Sequence, residues 1–128
     1  MTDAVYPRAT RESRESRREL APECMAAFEA FSHQAFAEGT LSVKVKQLIA
    51  VAVAHVTQCP YCIRGHTLAA ARHGATREEV MEAIWVAAEM RAGAAYAHSV
   101  IAIDAMEDVK TPHSEATPAT KGDAPGVS

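Results

Sequence analysis

The stretch SVKVKQLIAVAVAHVTQCPYCIRGHTLAAARHGAT, Ser42 to Thr76, decides the fold class. Ser42 can cap a helix from Val43 to about Thr57. Within it Val45, Leu48, Ile49, Ala52 and Val53 recur at intervals of three and four, while Lys44 and Lys46 face outward. The second half is apolar nearly all round, which predicts burial on several sides. Pro60 suits the first turn of a next helix that runs to about His73 and is stopped by Gly74. Thr76 then opens a Thr-x-x-Glu capping box with Glu79, ahead of a helix expected to bury Val80, Ile84, Ala87 and Ala88. That helix either continues through Gly93 to Met106 or breaks there.

Upstream, Pro22 starts another helix, and Met25, Phe28, Phe31 and Phe36 follow at near-helical spacing before Gly39 closes it. No stretch alternates with period two, so the expected fold is all-α, a small bundle of about five to six helices. Small residues over Ala92-Gly93-Ala94-Ala95-Tyr96-Ala97 predict close approach to a helix of another subunit. Residues 1–18, with the tandem Arg11-Glu12-Ser13 and Arg14-Glu15-Ser16, read as a flexible tail or a fraying helix start. Residues 110–128, proline-bearing and without periodicity, read as a disordered tail. The helical domain is therefore expected over 19–109.

The chain has 128 residues, with 13 Lys+Arg against 16 Asp+Glu and a formal charge of −3. Its basic residues are scattered and its aromatics amount to 5%, which argues against a nucleic-acid partner. The longest apolar run, Leu48 to Ala54, falls far short of the ~20 residues that span a bilayer, and no secretory leader is visible. Cys24, Cys59 and Cys62 are too few and too unevenly spaced for a disulfide framework. They fit a reducing cytoplasm, where a close pair is more often catalytic or metal-binding than structural.

Chemistry concentrates in Gln58-Cys59-Pro60-Tyr61-Cys62-Ile63-Arg64-Gly65-His66. With Pro60 in the first turn, Cys59 falls at the N-cap, Cys62 three residues on and His66 four beyond that. The three side chains are expected along one helical stripe. Free N–H groups and the helix dipole favour a thiolate at that end, lowering a thiol pKa from about 8.5 toward 3.5–7.5. One sulfur can then attack a peroxide or disulfide while the other resolves the product, with His66 moving the proton.

Rival readings differ in what they require. Haem attachment needs His directly after the second Cys, where Ile63 stands. A zinc site could use Cys59, Cys62 and His66, but His55 or the distant Cys24 would have to complete it. A thioredoxin-like domain lacks its βαβ pattern. Two buried helix cysteines beside a surface histidine remain the plainest alternative. His55, four residues before Cys59, is either a relay candidate pointing into the same site or a satisfied core histidine. Cys24 reads as a small packing residue, Trp85 as core or subunit interface, and His33, His73 and His98 show no partner spacing.

Lys46-Gln47-Leu48-Ile49-Ala50-Val51-Ala52-Val53-Ala54-His55, then Cys59-Pro60-Tyr61-Cys62-Ile63, His66, Gly74-Ala75-Thr76 and Glu79-Val80, resembles the carboxymuconolactone decarboxylase superfamily. More narrowly it is similar to the alkylhydroperoxidase D branch, over about residues 22 to 106. The resemblance implies an all-α subunit in homotrimers or homohexamers, with the dithiol near a subunit boundary. It implies a thiol-dependent peroxidase without a cofactor or bound metal, in which Cys62 meets peroxide and Cys59 exchanges with a redox partner protein or small thiol. His66 matches the family's proton-relay histidine. Two positions depart from the pattern. Gln47 stands where relatives often have a glutamate, and an amide cannot act as a base. Tyr61 stands where some have histidine, so Gln47, His55 and Tyr61 are the further relay candidates. A decarboxylase-like lyase and a metal-binding or oligomeric scaffold are the alternatives in function.

Overall fold

A computed structural model describes residues 5–110. Five helices follow one another, α1 (Arg11–Leu20), α2 (Pro22–Phe36), α3 (Val43–Thr57), α4 (Pro60–Arg72) and α5 (Arg77–Lys110), with no strand among the described residues. The fold is all-α as expected. The expected C-terminal tail lies, but for Lys110, outside the described residues, and so does His113.

The start and stop signals explain the boundaries. Ser42 accepts the Val45 N–H at the head of α3. Thr76 and Glu79 exchange the two hydrogen bonds of a capping box before α5. Lys44 adds an ion pair to Glu79 at 2.8 Å, tying the start of α3 to that of α5. Held by the Lys44 ammonium and the Thr76 N–H, the Glu79 carboxyl titrates below the ordinary glutamate range. Gly74, at φ 89°, turns the chain between α4 and α5 in a conformation that side chains disfavour. Gly93 does not interrupt α5, which continues to Lys110.

Within the N-terminal segment, expected as a tail or a fraying helix start, residues 11–20 are helical. Arg11–Leu20 is helical because Thr10 and Ser13 cap each other reciprocally, with Ser in the place usually held by Glu. Arg11–Glu15 and Arg18–Glu29 ion pairs add the modest support that exposed pairs give. The helix is solvated all round, save for half-buried Ser13.

α3 packs chiefly on α4. Val51, Ala54 and Ala70 are buried between such elements, Ala87 is buried on α5, and Gln47 is a buried polar side chain. Several expected core positions are open instead. Phe28 and Phe31 are 64% and 68% exposed, Trp85 is 66% exposed, and Val45, Ile49 and Val53 also face out. The periodicity identified an apolar face, yet nothing among the described residues covers it. Lys46 departs in the opposite sense. Expected to face solvent, it folds back to donate to the Ala37 carbonyl at 2.6 Å.

The chain divides into two compact units after Arg91, with α5 running through the division. In the first, Arg91 donates to the Val56 carbonyl at 3.0 Å. In the second, Tyr96, Val100, Ile101, Ile103 and Met106 are exposed. No described helix is long and apolar enough to cross a membrane.

Candidate functional site

The site begins where α3 ends. Gln58 adopts the left-handed conformation, φ 57°, and both it and Cys59 donate their N–H to the Ala54 carbonyl. That turn delivers Cys59 to the N-cap of α4, with Pro60 in its first turn. The Cys59 sulfur does the work usually done by a Ser or Asp oxygen, accepting the Cys62 N–H at 3.3 Å.

The two sulfurs share a hydrogen bond of 2.6 Å. They therefore stand close to the covalent separation of about 2.0 Å without backbone rearrangement. The pair is electrostatically unequal. The Cys62 thiol, the Cys62 N–H and the Tyr61 N–H all stabilise charge on Cys59, whose pKa is lowered. The same sulfur contact, with desolvation and repulsion from Cys59, raises that of Cys62. Once Cys59 is ionised, Cys62 is the donor in their shared hydrogen bond. The first proton to leave belongs to the pair, and its charge resides at Cys59.

His66 lies one turn beyond Cys62 on α4. Its Nδ1 stands 2.8 Å from Oε1 of Gln47, on α3, and its ring stacks on Phe36 of α2 at 5.0 Å and 20°. When Nδ1–H donates to the amide oxygen, Nε2 is left for exchange. Three helices thus fix one imidazole. Cys62, His66 and Phe36 line two open grooves. One, of about 490 Å³, is walled by apolar side chains such as Leu41, Ile49 and Val53. The other, of about 710 Å³, is more polar and includes His33, Gln47, Tyr61 and His73.

Known proteins share this architecture. The model of the carboxymuconolactone decarboxylase family matches residues 22–105. The chain belongs to that family. A Paracoccus denitrificans protein described as uncharacterized protein 4 in cox locus is 63% identical over 83 residues, which are 65% of this chain and 75% of that one. An uncharacterized Cupriavidus necator protein is 41% identical over 63% of this chain and 74% of its own. Among solved structures, a carboxymuconolactone decarboxylase family protein from Legionella pneumophila superposes with a TM-score of 0.61 at 33% identity. It covers 78% of this chain and 89% of that one. A Methanobacterium thermoautotrophicum protein gives 0.62 at 36% identity, over 65% and 93%.

On this family scaffold, the structure brings Cys59, Cys62, His66 and Gln47 together. Tyr61 is adjacent but engaged elsewhere, its hydroxyl donating to the Pro7 carbonyl at 2.6 Å and its ring meeting Tyr6 edge-on at 6.0 Å. His55 is not brought in: its Nδ1 lies 2.7 Å from the Val51 carbonyl of its own helix. Cys24 corrects the expectation of a packing residue, being exposed on α2. Among the described residues no three His, Cys, Asp or Glu side chains are grouped to hold a metal ion. His33 and His73 reach the polar groove without any spacing that marks them in sequence, and Phe36, which its spacing marked only as part of an apolar face, reaches both grooves. They come from helices whose packing, rather than their local pattern, sets the meeting point.

Proposed function

We propose that this family member is a dithiol oxidoreductase of the alkylhydroperoxidase type, which reduces peroxides with Cys59 and Cys62 and moves protons through His66. The observation that carries the reading is the sulfur pair at 2.6 Å, one member of which shares its groove walls with the imidazole.

Cys62, facing both grooves, is the sulfur that meets peroxide. Its proton passes to the Cys59 thiolate beside it, so Cys59 serves as the base in the absence of a carboxylate at position 47. The Cys62 thiolate attacks one peroxide oxygen, the O–O bond breaks, and the departing alkoxide takes a proton that Nε2 of His66 has accepted from solvent. Cys62 is left as a sulfenic acid. Cys59 then attacks that sulfur, and hydroxide leaves with the Cys59 proton as water. One peroxide becomes an alcohol and water, and two cysteines become one disulfide. No cofactor is needed for this balance. A donor thiol reopens the disulfide, and a reducing compartment such as the cytoplasm suits the cycle.

Assembly into homotrimers or homohexamers belongs to the same reading. Its support is the apolar surface of Phe28, Phe31, Ile49, Val53 and Trp85, which is of a kind that monomers rarely leave open. Single-turnover consumption of an organic hydroperoxide by the pre-reduced chain tests the activity. One equivalent per chain is expected, with none for Cys62→Ser. Consumption independent of both cysteines overturns the reading. Turnover of a lactone carboxylate by a Cys59→Ser/Cys62→Ser chain would instead support the lyase.

A further inference from the structure

The N-terminal arginines take no part in the peroxide chemistry. Two of them frame a concavity that shares Tyr61 with the polar groove of Cys62 and His66. Pro7, Arg8 and Ala9 form one side, Ser13 and Arg17 of α1 the other, and Tyr61, the residue following Pro60 between the cysteines, forms the wall they share. Its volume, about 370 Å³, lies in the range of about 300–1,000 Å³ that suits small ligands rather than protein surfaces.

The arrangement is held from below. The Tyr61 hydroxyl donates to the Pro7 carbonyl, and Tyr6 packs edge-on against the Tyr61 ring, so the segment before α1 is fastened to the head of α4. The charges are unspent. Arg11 and Arg18 pair with Glu15 and Glu29, whereas neither Arg8 nor Arg17 has a carboxylate partner among the described residues. Arg17 uses only Nε, donating to the Ser13 carbonyl at 3.2 Å, which leaves its terminal N–H groups for a ligand. Ser13 is consumed by the cap. A concave site with two free guanidinium groups favours an anionic ligand, whose carboxylates or phosphates they can grip.

We propose that this groove docks the reductant that reopens the Cys59–Cys62 disulfide, and that the reductant is a small carboxylate-bearing thiol of the glutathione type, held by Arg8 and Arg17. The inference rests on the dithiol reading above. A tripeptide extends to about 10 Å, which lets its carboxylates sit on the arginines while its sulfur passes the Tyr61 side chain toward Cys59. The donor thiolate attacks the Cys59 sulfur, the S–S bond breaks, and Cys62 leaves with the proton that the donor lost. A second donor gives its proton to solvent and, as the thiolate, attacks the donor sulfur of the mixed disulfide. Cys59 departs as a thiolate, and two donors end as one disulfide. The hydrogen bonds that stabilise charge on Cys59 make it a good leaving group in this last step.

The test uses the full chain carrying Cys24→Ser, so that only the pair reports, with its disulfide closed by diamide rather than peroxide. Reopening by glutathione and by glutathione diethyl ester is followed by alkylation and mass. Two exposed ion pairs together are worth about tenfold, so glutathione is expected to outpace its ester by about that factor. In Arg8→Ala/Arg17→Ala the preference disappears while the ester rate stays, and Arg8→Glu slows glutathione further. Equal rates in the arginine-bearing chain, or a preference that survives the double substitution, overturn the docking site. If diamide closes no bond, both this inference and the dithiol reading fail. A preference found in a chain inert to peroxide removes the peroxide step alone.

Discussion

At the scale of single residues the decisive feature is an inequality between neighbouring sulfurs. Cys59 is the charged member because donors converge on it, and Cys62 is the protonated member because the same contact and partial burial oppose its charge. Since the Cys59 pKa is lowered, its alkylation persists as pH falls below the ordinary thiol range near 8.5, and fades only when the shifted value is passed. Alkylation of Cys62, with its pKa raised, is expected to need a higher pH than that of Cys59. Cys62→Ala removes the leading donor, and thiolate absorbance is expected to place Cys59 nearer the ordinary value. Coincident titration of both thiols in the native chain would refute the inequality. His66 is expected to matter at the leaving oxygen. His66→Ala should slow stopped-flow peroxide reduction by about 10²-fold, the lower end of general acid–base contributions. Gln47→Glu should accelerate it, because a carboxylate at Nδ1 takes a proton that the amide cannot. A slower Gln47→Glu chain would show that the amide is itself the better partner.

At the scale of the helix, Cys59 has two employments, since it caps α4 as well as carrying charge. Ser is a preferred N-cap and Ala a poor one, so Cys59→Ser should keep the thermal midpoint of the reduced chain while Cys59→Ala lowers it. Equal midpoints for the two variants would mean that the sulfur contributes nothing as a cap. Such caps explain why most helix boundaries were legible in the sequence. Ser42, Pro60, Gly74 and the Thr76/Glu79 box are local signals, each satisfied within a few residues of where it stands. α1 was not legible as a stable element because it lacks an apolar stripe and uses Ser13 for a position where Glu is the usual mark. The stripe joining Cys59, Cys62 and His66 followed from offsets within one helix. The Gln47–His66 bond, the Phe36 stack and the Tyr61–Pro7 bond did not, because each joins side chains from separate elements whose packing no periodicity encodes.

At the scale of the whole molecule, apolar periodicity said which faces avoid water but not what covers them. Phe28, Phe31, Ile49 and Val53 satisfy the helical pattern and remain open, which is why the expected core and the observed one differ. Copies of the chain are the proposed cover. Sedimentation is therefore expected to give a multiple of the 13.7 kDa chain mass. Trp85→Glu, which sets a charge on an exposed apolar position, should shift that distribution downward if the residue lies in the interface. A native chain that sediments as a monomer at micromolar concentration would contradict the assembly.

The most direct test of the central claim is the intact mass of the reduced chain before and after one equivalent of peroxide. The account predicts a loss of two hydrogens, mapped by digestion to Cys59 and Cys62, with Cys24 still open to alkylation and no such loss in Cys62→Ser. An unchanged mass, or the same loss in Cys62→Ser, would contradict it.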